Sequence, residues 1–463
     1  MKSLFIFRRD LRLKDNSGLL KALTESAEVL PAFIFDPRQT GRHHYRSESA
    51  LQFMIASLRE LDRELRAKGS RLYLFQGPAE KVVAALLRSE GLGAVYCNRD
   101  YTPFSRRRDE AIAAACREKN ATFVPVGDSL LHEPEDVAKA DGGPYAVFTP
   151  FFNAARALAV GTPRDNPFKN YRRRAIAAAA GPEVYDRILK RRNEDLFRRG
   201  GRREALRILA TIDRFRAYEK TRDLPAVDGT TGLSPHNKFG TISIREFHKA
   251  VRDCLGPGHP LLRQLYWRDF FTHVAFHFDR VFGHPFQAAY EKVPWNDDPA
   301  RLKRWQEGTT GFPIVDAGMR QLEATGFMPN RVRMICASFL VKDLRIDWRE
   351  GERFFATRLE DYDPCVNNGN WQWVASTGCD AAPYFRVFNP WLQQRRYDPD
   401  AAYVKRWVPE LARTDPGLIH RLDCLEGRRP GGYPEPIADH AAESVRTLAM
   451  YRLAKSGNIP RAS

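Results

Sequence analysis

Apolar residues gather in short runs through the first 130 positions: SLFIF, VLPAFIF, RLYLF, AVYC and TFVPV, rich in β-branched and aromatic side chains. Runs of this kind predict buried strands. Between several of them the apolar period changes to three and four residues. ESALQFMIASLRELDRELRAKG and AEKVVAALLRSEG each line one helical face and close on a glycine, a C-terminal cap signal. Strand–helix alternation predicts an α/β domain with a doubly wound parallel sheet over residues 1–130. No GxGxxG follows any of the strands, so the usual dinucleotide loop is not supported there.

From 131 to 204 the spacing loosens. PRDNPFKNYRRRAIAAAAGPE and LKRRNEDLFRRGGRRE are basic and lack a regular apolar period. They predict a long interdomain connection with some helix, crossing the surface with its arginines on a solvated face. After 205 the strand-like alternation stops. ALRILATIDRFRAYEK, LLRQLYWRDFFTHVAFHF, VRMICASFLVKDLRIDW and SVRTLAMYRLAK carry helical spacing, broken by stretches such as PAVDGTTGLSPHNKFG. A large all-α domain is expected over 205–463. No internal repeat is present.

The length, 463 residues, exceeds one ordinary core and agrees with two domains. Lysine and arginine total 74 against 57 acids, a net charge of +17. Such a surplus fits a polyanionic partner, above all nucleic acid, or a generally arginine-rich surface. Seven cysteines, an odd number with no CxxC pair, point to a reduced, cytoplasmic protein without a disulfide framework or cysteine zinc site. Arg8 and Arg9 interrupt the apolar start, so no signal peptide is expected. No run of apolar residues is long enough to predict a membrane span.

Four constellations carry candidate chemistry. DGTTGLSPHNKFG, 228–240, gathers hydroxyls and free N–H groups before a helix and suits a phosphate, or a simple cap and turn. In LLRQLYWRDFF, 261–271, Arg268 and Asp269 lie among aromatics, as a buried ion pair or as part of a ligand site. Arg331 and Arg333 are two residues apart and must leave a helix on different sides. One is free to reach solvent or phosphate while the other pairs inward with Asp361 or Asp363, since buried charge needs a partner. Trp295, Trp348 and Trp371 stand in polar segments, as packing residues or as oxidisable indoles able to relay electrons. Around the last of these, NNGNWQWVASTGCDAAPYF is too polar for an ordinary buried helix and too aromatic for a surface loop.

Taken in order, YWRDFF, WQEGTTGFPIVDAGMRQL, NRVRMICASFLVKDLRIDWREGERFF, NNGNWQWVASTGCDAAPYFRVFNP and KRWVPEL make the chain resemble the DNA photolyase/cryptochrome family from Trp267 to Leu411, and more loosely from residue 1. The resemblance implies light-driven splitting of cyclobutane pyrimidine dimers, with the electron supplied by photoexcited reduced FAD held in the helical domain. It places Tyr218, Thr230, Thr231, Gly232, Leu233 and Ser234 around the FAD phosphates and Arg268 near the cofactor. It pairs Asp361 with Arg333, sets Asp363 at the flavin edge and turns Asn367 toward flavin N5. Trp371, Trp348 and Trp295 become an electron chain. Photolyases extrude their target base; Gln264, Trp267, Asn330 and Met334 are implied to contact the dimer and Trp373 to wall its pocket. Arg331 and Arg386 are implied to hold flanking phosphates of UV-damaged DNA. CNRDYTPFSRRRD lies where some relatives bind a second, antenna chromophore of pterin or deazaflavin type. A monomer is the family default, with no metal.

Gln264 departs from the pattern, since dimer-repairing members normally carry glutamate there. An amide keeps a donor and an acceptor but cannot carry charge or transfer a proton. Glutamine is common there in (6-4) photolyases and animal-type cryptochromes. The former also use a histidine pair near this helix, where the chain has Pro329, Asn330 and Met334. A cryptochrome-type photoreceptor remains the alternative, although the basic charge, Asn330, Met334, Trp267 and Trp373 and the short tail after KRWVPEL favour repair.

Overall fold

The computed structural model describes residues 1–425 and 429–456. The five apolar runs form β1 (Lys2–Phe7), β2 (Glu28–Phe35), β3 (Tyr73–Gln76), β4 (Ala94–Asn98) and β5 (Thr122–Val126). All neighbours pair in parallel, in the order β3-β2-β1-β4-β5. A parallel sheet is covered on both faces. Phe5 and Phe7 of β1 accordingly enter one buried cluster and Leu4 and Ile6 another. Strand order reverses between β1 and β4, whose carboxyl ends deliver Arg8, Arg9, Asn98 and Asp100 to the crevice where open α/β sheets place ligands.

The connection does more than cross the surface. Tyr171 bridges Val29 of β2, and Tyr171, Ile176, Val184 and Tyr185 are buried against the sheet. Arg172, expected on a solvated face, is buried and bound to Glu28 at 3.1 Å, while Arg173 and Arg174 beside it are exposed. An irregular segment buries single side chains without any fixed period, so the pattern gave no sign of this.

Among the described residues no strand follows β5. One large core gathers Trp305, Trp348, Trp371 and Trp391; another surrounds the helix Pro260–His277. VRMICASFLVKDLRIDW is not one helix: Asn330–Ser338 passes into a π-helical turn, Phe339–Asp343. No described helix is long and apolar enough to cross a membrane.

The first half of the polar motif lies in a helix, Pro364–Val374, buried along one side, and the rest is turn and loop. Asn368 donates to the carbonyl of Val281 at 3.0 Å, and Gln372 donates to those of Val281 and His284 at 3.0 and 3.1 Å. Buried amides cost little when so satisfied. Gly369 lets this helix meet Pro260–His277, because a Cβ there would lie 2.1 Å from Phe271. Gly369→Ala is therefore expected to destabilise the protein by about 1–3 kcal/mol, the usual cost of overpacking, measured by urea denaturation. A loss under about 0.5 kcal/mol would mean that Phe271 yields freely.

Candidate functional site

Sheet and helices are joined by Arg9, which follows β1. Its guanidinium binds Asp100 at 3.2 Å and Asp363, and its Nε donates to the carbonyl of Lys238 at 3.2 Å. Asp363 also caps the helix Pro364–Val374, accepting from the N–H groups of Cys365 and Val366 at 3.0 and 3.3 Å. Burial alone would raise its pKa, but Arg9, then Lys238 and Arg268, outweigh burial and hold it at about 2. Burial, reinforced by Arg9, pushes Lys238 down to about 8. Arg268 donates to the carbonyl of Ser129 at 2.6 Å. With Arg9, Arg12, Asp128 and Asn237 it lines a narrow cleft of about 10 Å³.

On the helix Asn330–Ser338 the two arginines diverge. Arg333 turns inward, binding Asp361 at 2.9 Å and the carbonyl of Met328 at 2.7 Å. Arg331 binds Asp223 at 2.8 Å and lies over the Tyr397 ring at 4.5 Å. Asn330 is exposed and its amide meets the Met334 sulfur at 3.6 Å. Asn367 is half-buried and donates to the carbonyl of Glu352 at 3.1 Å. The Glu352 carboxyl is pushed up to about 7 by burial, against the opposing hydrogen bond from Asn368.

In the loop before the short helix Ser234–Phe239, Thr231, Gly232 and Leu233 are buried, Thr230 is half-buried and Ser234 is exposed; Tyr218 is buried nearby in the chain. Trp267 stacks flat on Phe148 at 3.6 Å, so one face of its indole is already covered. Gln264, one turn earlier, and Trp373 are half-buried, and Arg386 is exposed. Trp348 and Trp371 share the large core, with Trp295 half-buried at its edge against Tyr451 at 6.0 Å. Gly351 makes room for Trp371, since a Cβ there would lie 2.1 Å from the indole.

One wide concavity lies away from the candidate residues. A depression of about 680 Å³ is lined by Lys303, Arg320, Phe354 and Arg358 among others. Its arginines are already bound to Glu410 and Glu323, and none of the candidate residues reaches it. Sequence reasoning passed over Arg9, Asp100, Lys238, Glu352, Phe148 and Trp305, the last packed on Trp371 at 6.3 Å. All but Phe148 lay in segments already singled out, yet none of them was assigned a role.

Comparison with known proteins places these residues in a family. The family model for DNA photolyase matches residues 3–169, and that for the FAD binding domain of DNA photolyase matches 261–453. The chain is 37% identical to the deoxyribodipyrimidine photo-lyase of Synechococcus sp., covering 98% of this chain and 97% of that one. It superposes on an archaeal photolyase from Sulfolobus tokodaii with a TM-score of 0.89, at 44% identity over 98% and 100% of the two chains. That crystal structure is described as holding two FAD molecules and as implicating a novel light-harvesting cofactor. A cryptochrome from Synechocystis sp. superposes with a TM-score of 0.87, at 28% identity over 97% and 99%.

Because the pKa of Asp363 is depressed in the fold, its stabilising effect is present above the unfolded value near 4 and is lost as pH falls toward about 2. Asp363→Asn keeps a capping side chain and removes the charge. It is expected to cost about 2 kcal/mol at pH 7, with the gap to wild type closing between about pH 4 and pH 2 in denaturant melts. A gap independent of pH would assign the loss to packing instead.

Proposed function

The chain belongs to the DNA photolyase family, and on that premise we propose that it repairs UV-damaged DNA by splitting cyclobutane pyrimidine dimers in light. The observation that carries this reading is the division of the helix Asn330–Ser338: Asn330 and Met334 meet at its exposed start while Arg333 turns inward to Asp361. One helical turn thus serves a lesion on one side and a cofactor on the other.

The donor set suits FAD. Asp361 keeps one carboxylate oxygen on Arg333 and the other buried without a partner, an acceptor held ready for a ring N–H. Tyr218, Thr230, Thr231, Gly232, Leu233 and Ser234 would hold its phosphates, with Arg268 and Asp363 near the ring system. Bound FAD would supply the light absorption and the transferable electron. Asn367 spends an N–H on the Glu352 carbonyl, which leaves its side-chain oxygen to face the cofactor as an acceptor. Trp371, Trp348 and Trp295 would carry electrons between the buried core and the surface.

For the lesion, Trp267 offers a single stacking face, because Phe148 covers the other. Trp373 would wall the pocket, and Gln264 would give the extruded bases one donor and one acceptor. Arg386 is free to take a phosphate, whereas Arg331 must exchange Asp223 for one. A second chromophore would sit at the crevice between β1 and β4, where Arg8 is bound to Asp109 at 2.9 Å and Arg108 keeps a buried nitrogen without a partner.

A photoreceptor without repair is the second reading, favoured by Gln264 and by the likeness to the Synechocystis cryptochrome. One assay separates the two. Reduced protein with a thymine-dimer oligonucleotide is expected to restore thymine absorbance under blue light and not in the dark. Light-driven change in bound FAD without restoration would support the photoreceptor. Gln264→Glu is expected to alter lesion affinity or repair yield; if neither moves, position 264 does not tune the reaction.

A further inference from the structure

Between the two matched family models, which end at 169 and resume at 261, lies the loop assigned above to the FAD phosphates. Arg198, in the connection, grips that loop. Its Nε donates to the carbonyl of Gly232 and its Nη2 to that of Thr231, both at 3.3 Å. Only glycine fits against it: φ at Gly232 is +59°, and a Cβ would lie 2.4 Å from the guanidinium.

The guanidinium is also the end of a column. It lies 4.1 Å over the Phe197 ring. Phe197 stacks on Phe327 at 3.8 Å and 8°. Arg333, bound to Asp361, lies over Phe327 at 5.4 Å. Cations over aromatic faces are attracted by the ring quadrupole. The column therefore ties the phosphate loop to the inward ion pair.

Peptide planarity turns this grip into orientation. With the carbonyl of Thr231 drawn to Arg198, the N–H of Gly232 in the same plane points the opposite way, whereas that of Leu233 donates to Thr231 Oγ1 at 3.3 Å. Arg198 forms no ion pair among the described residues, and burial lowers its pKa. Asp228, Glu204 and Glu360 act on it from nearby without pairing with it, so its charge is only partly offset beside the loop.

We propose that Arg198 is a positioning residue of the cofactor site: it holds the loop so that the Gly232 N–H and a nearby positive charge serve the diphosphate of FAD. This rests on the FAD reading above. The full-length apoprotein would be titrated with FAD, following flavin fluorescence, and with adenosine diphosphate as competitor. Arg198→Met is expected to weaken both ligands roughly tenfold or more, as loss of a charge-assisted hydrogen-bonding group does, with the apoprotein Tm unchanged. Arg198→Lys keeps the charge but cannot fork two carbonyls, and is expected to recover less than half of the loss on a logarithmic scale. FAD affinity within twofold of wild type in Arg198→Met overturns the proposal, as does full recovery by lysine. If the methionine variant melts lower without ligand, the lysine variant decides alone. Failure of the wild type to bind FAD would instead refute the FAD reading itself.

Discussion

Arg9 is the joint on which the arrangement depends. It leaves the carboxyl end of β1, binds Asp100 from the end of β4 and reaches Asp363 at the start of the helix Pro364–Val374. Breaking either contact strands a charge in a poorly solvated place, which is far more costly than the pair is stabilising. Asp363 also fixes where that helix begins. Positions 363, 367 and 371 follow at intervals of four, so Asp363, Asn367 and Trp371 fall along one stripe. The electrostatic joint thereby sets the register of the residues expected to meet the cofactor.

Close packing then holds that register. Gly351 and Gly369 remove the side chains that would collide with Trp371 and Phe271, so three helices approach as nearly as their backbones allow. Asn368 and Gln372 spend their amides on carbonyls at the end of the neighbouring helix and beyond. A slide by one turn would leave both amides and both carbonyls unsatisfied. Steric fit and polar satisfaction thus specify the same position, which explains a helix so rich in small polar residues around two indoles.

Legibility followed the locality of the physics. All five strands were readable because a parallel strand buried on both faces writes its burial into its own sequence. The helical character after 205 was readable for the same reason. The polar helix 364–374 was not, since the groups that satisfy it belong to residues more than 80 positions away. Divergence of Arg331 and Arg333 follows from helix geometry, yet the choice of partner does not. Asp363 is taken by Arg9, 354 residues away, and Asp361 is left to Arg333. Trp267 shows the same limit: its face is filled by Phe148, from a segment with no period to announce it.

The charge surplus takes on a sharper meaning once the arginines are placed. Arg12 binds Asp128 at 2.6 Å, Arg202 binds Glu246 at 2.7 Å and Arg245 binds Asp15 at 2.9 Å, each with little exposure. Such pairs add nothing to net charge, so the +17 must reside on cations outside them. Arg173, Arg174, Arg191, Arg192, Arg199 and Arg386 are among the exposed ones. Exposed, unpaired cations are the groups that release counterions from a polyanion and give binding its salt dependence. Arginine therefore works here in two physically separate ways. Buried arginines join elements and would betray their loss in stability, whereas exposed ones set long-range attraction and would betray it in ionic-strength dependence.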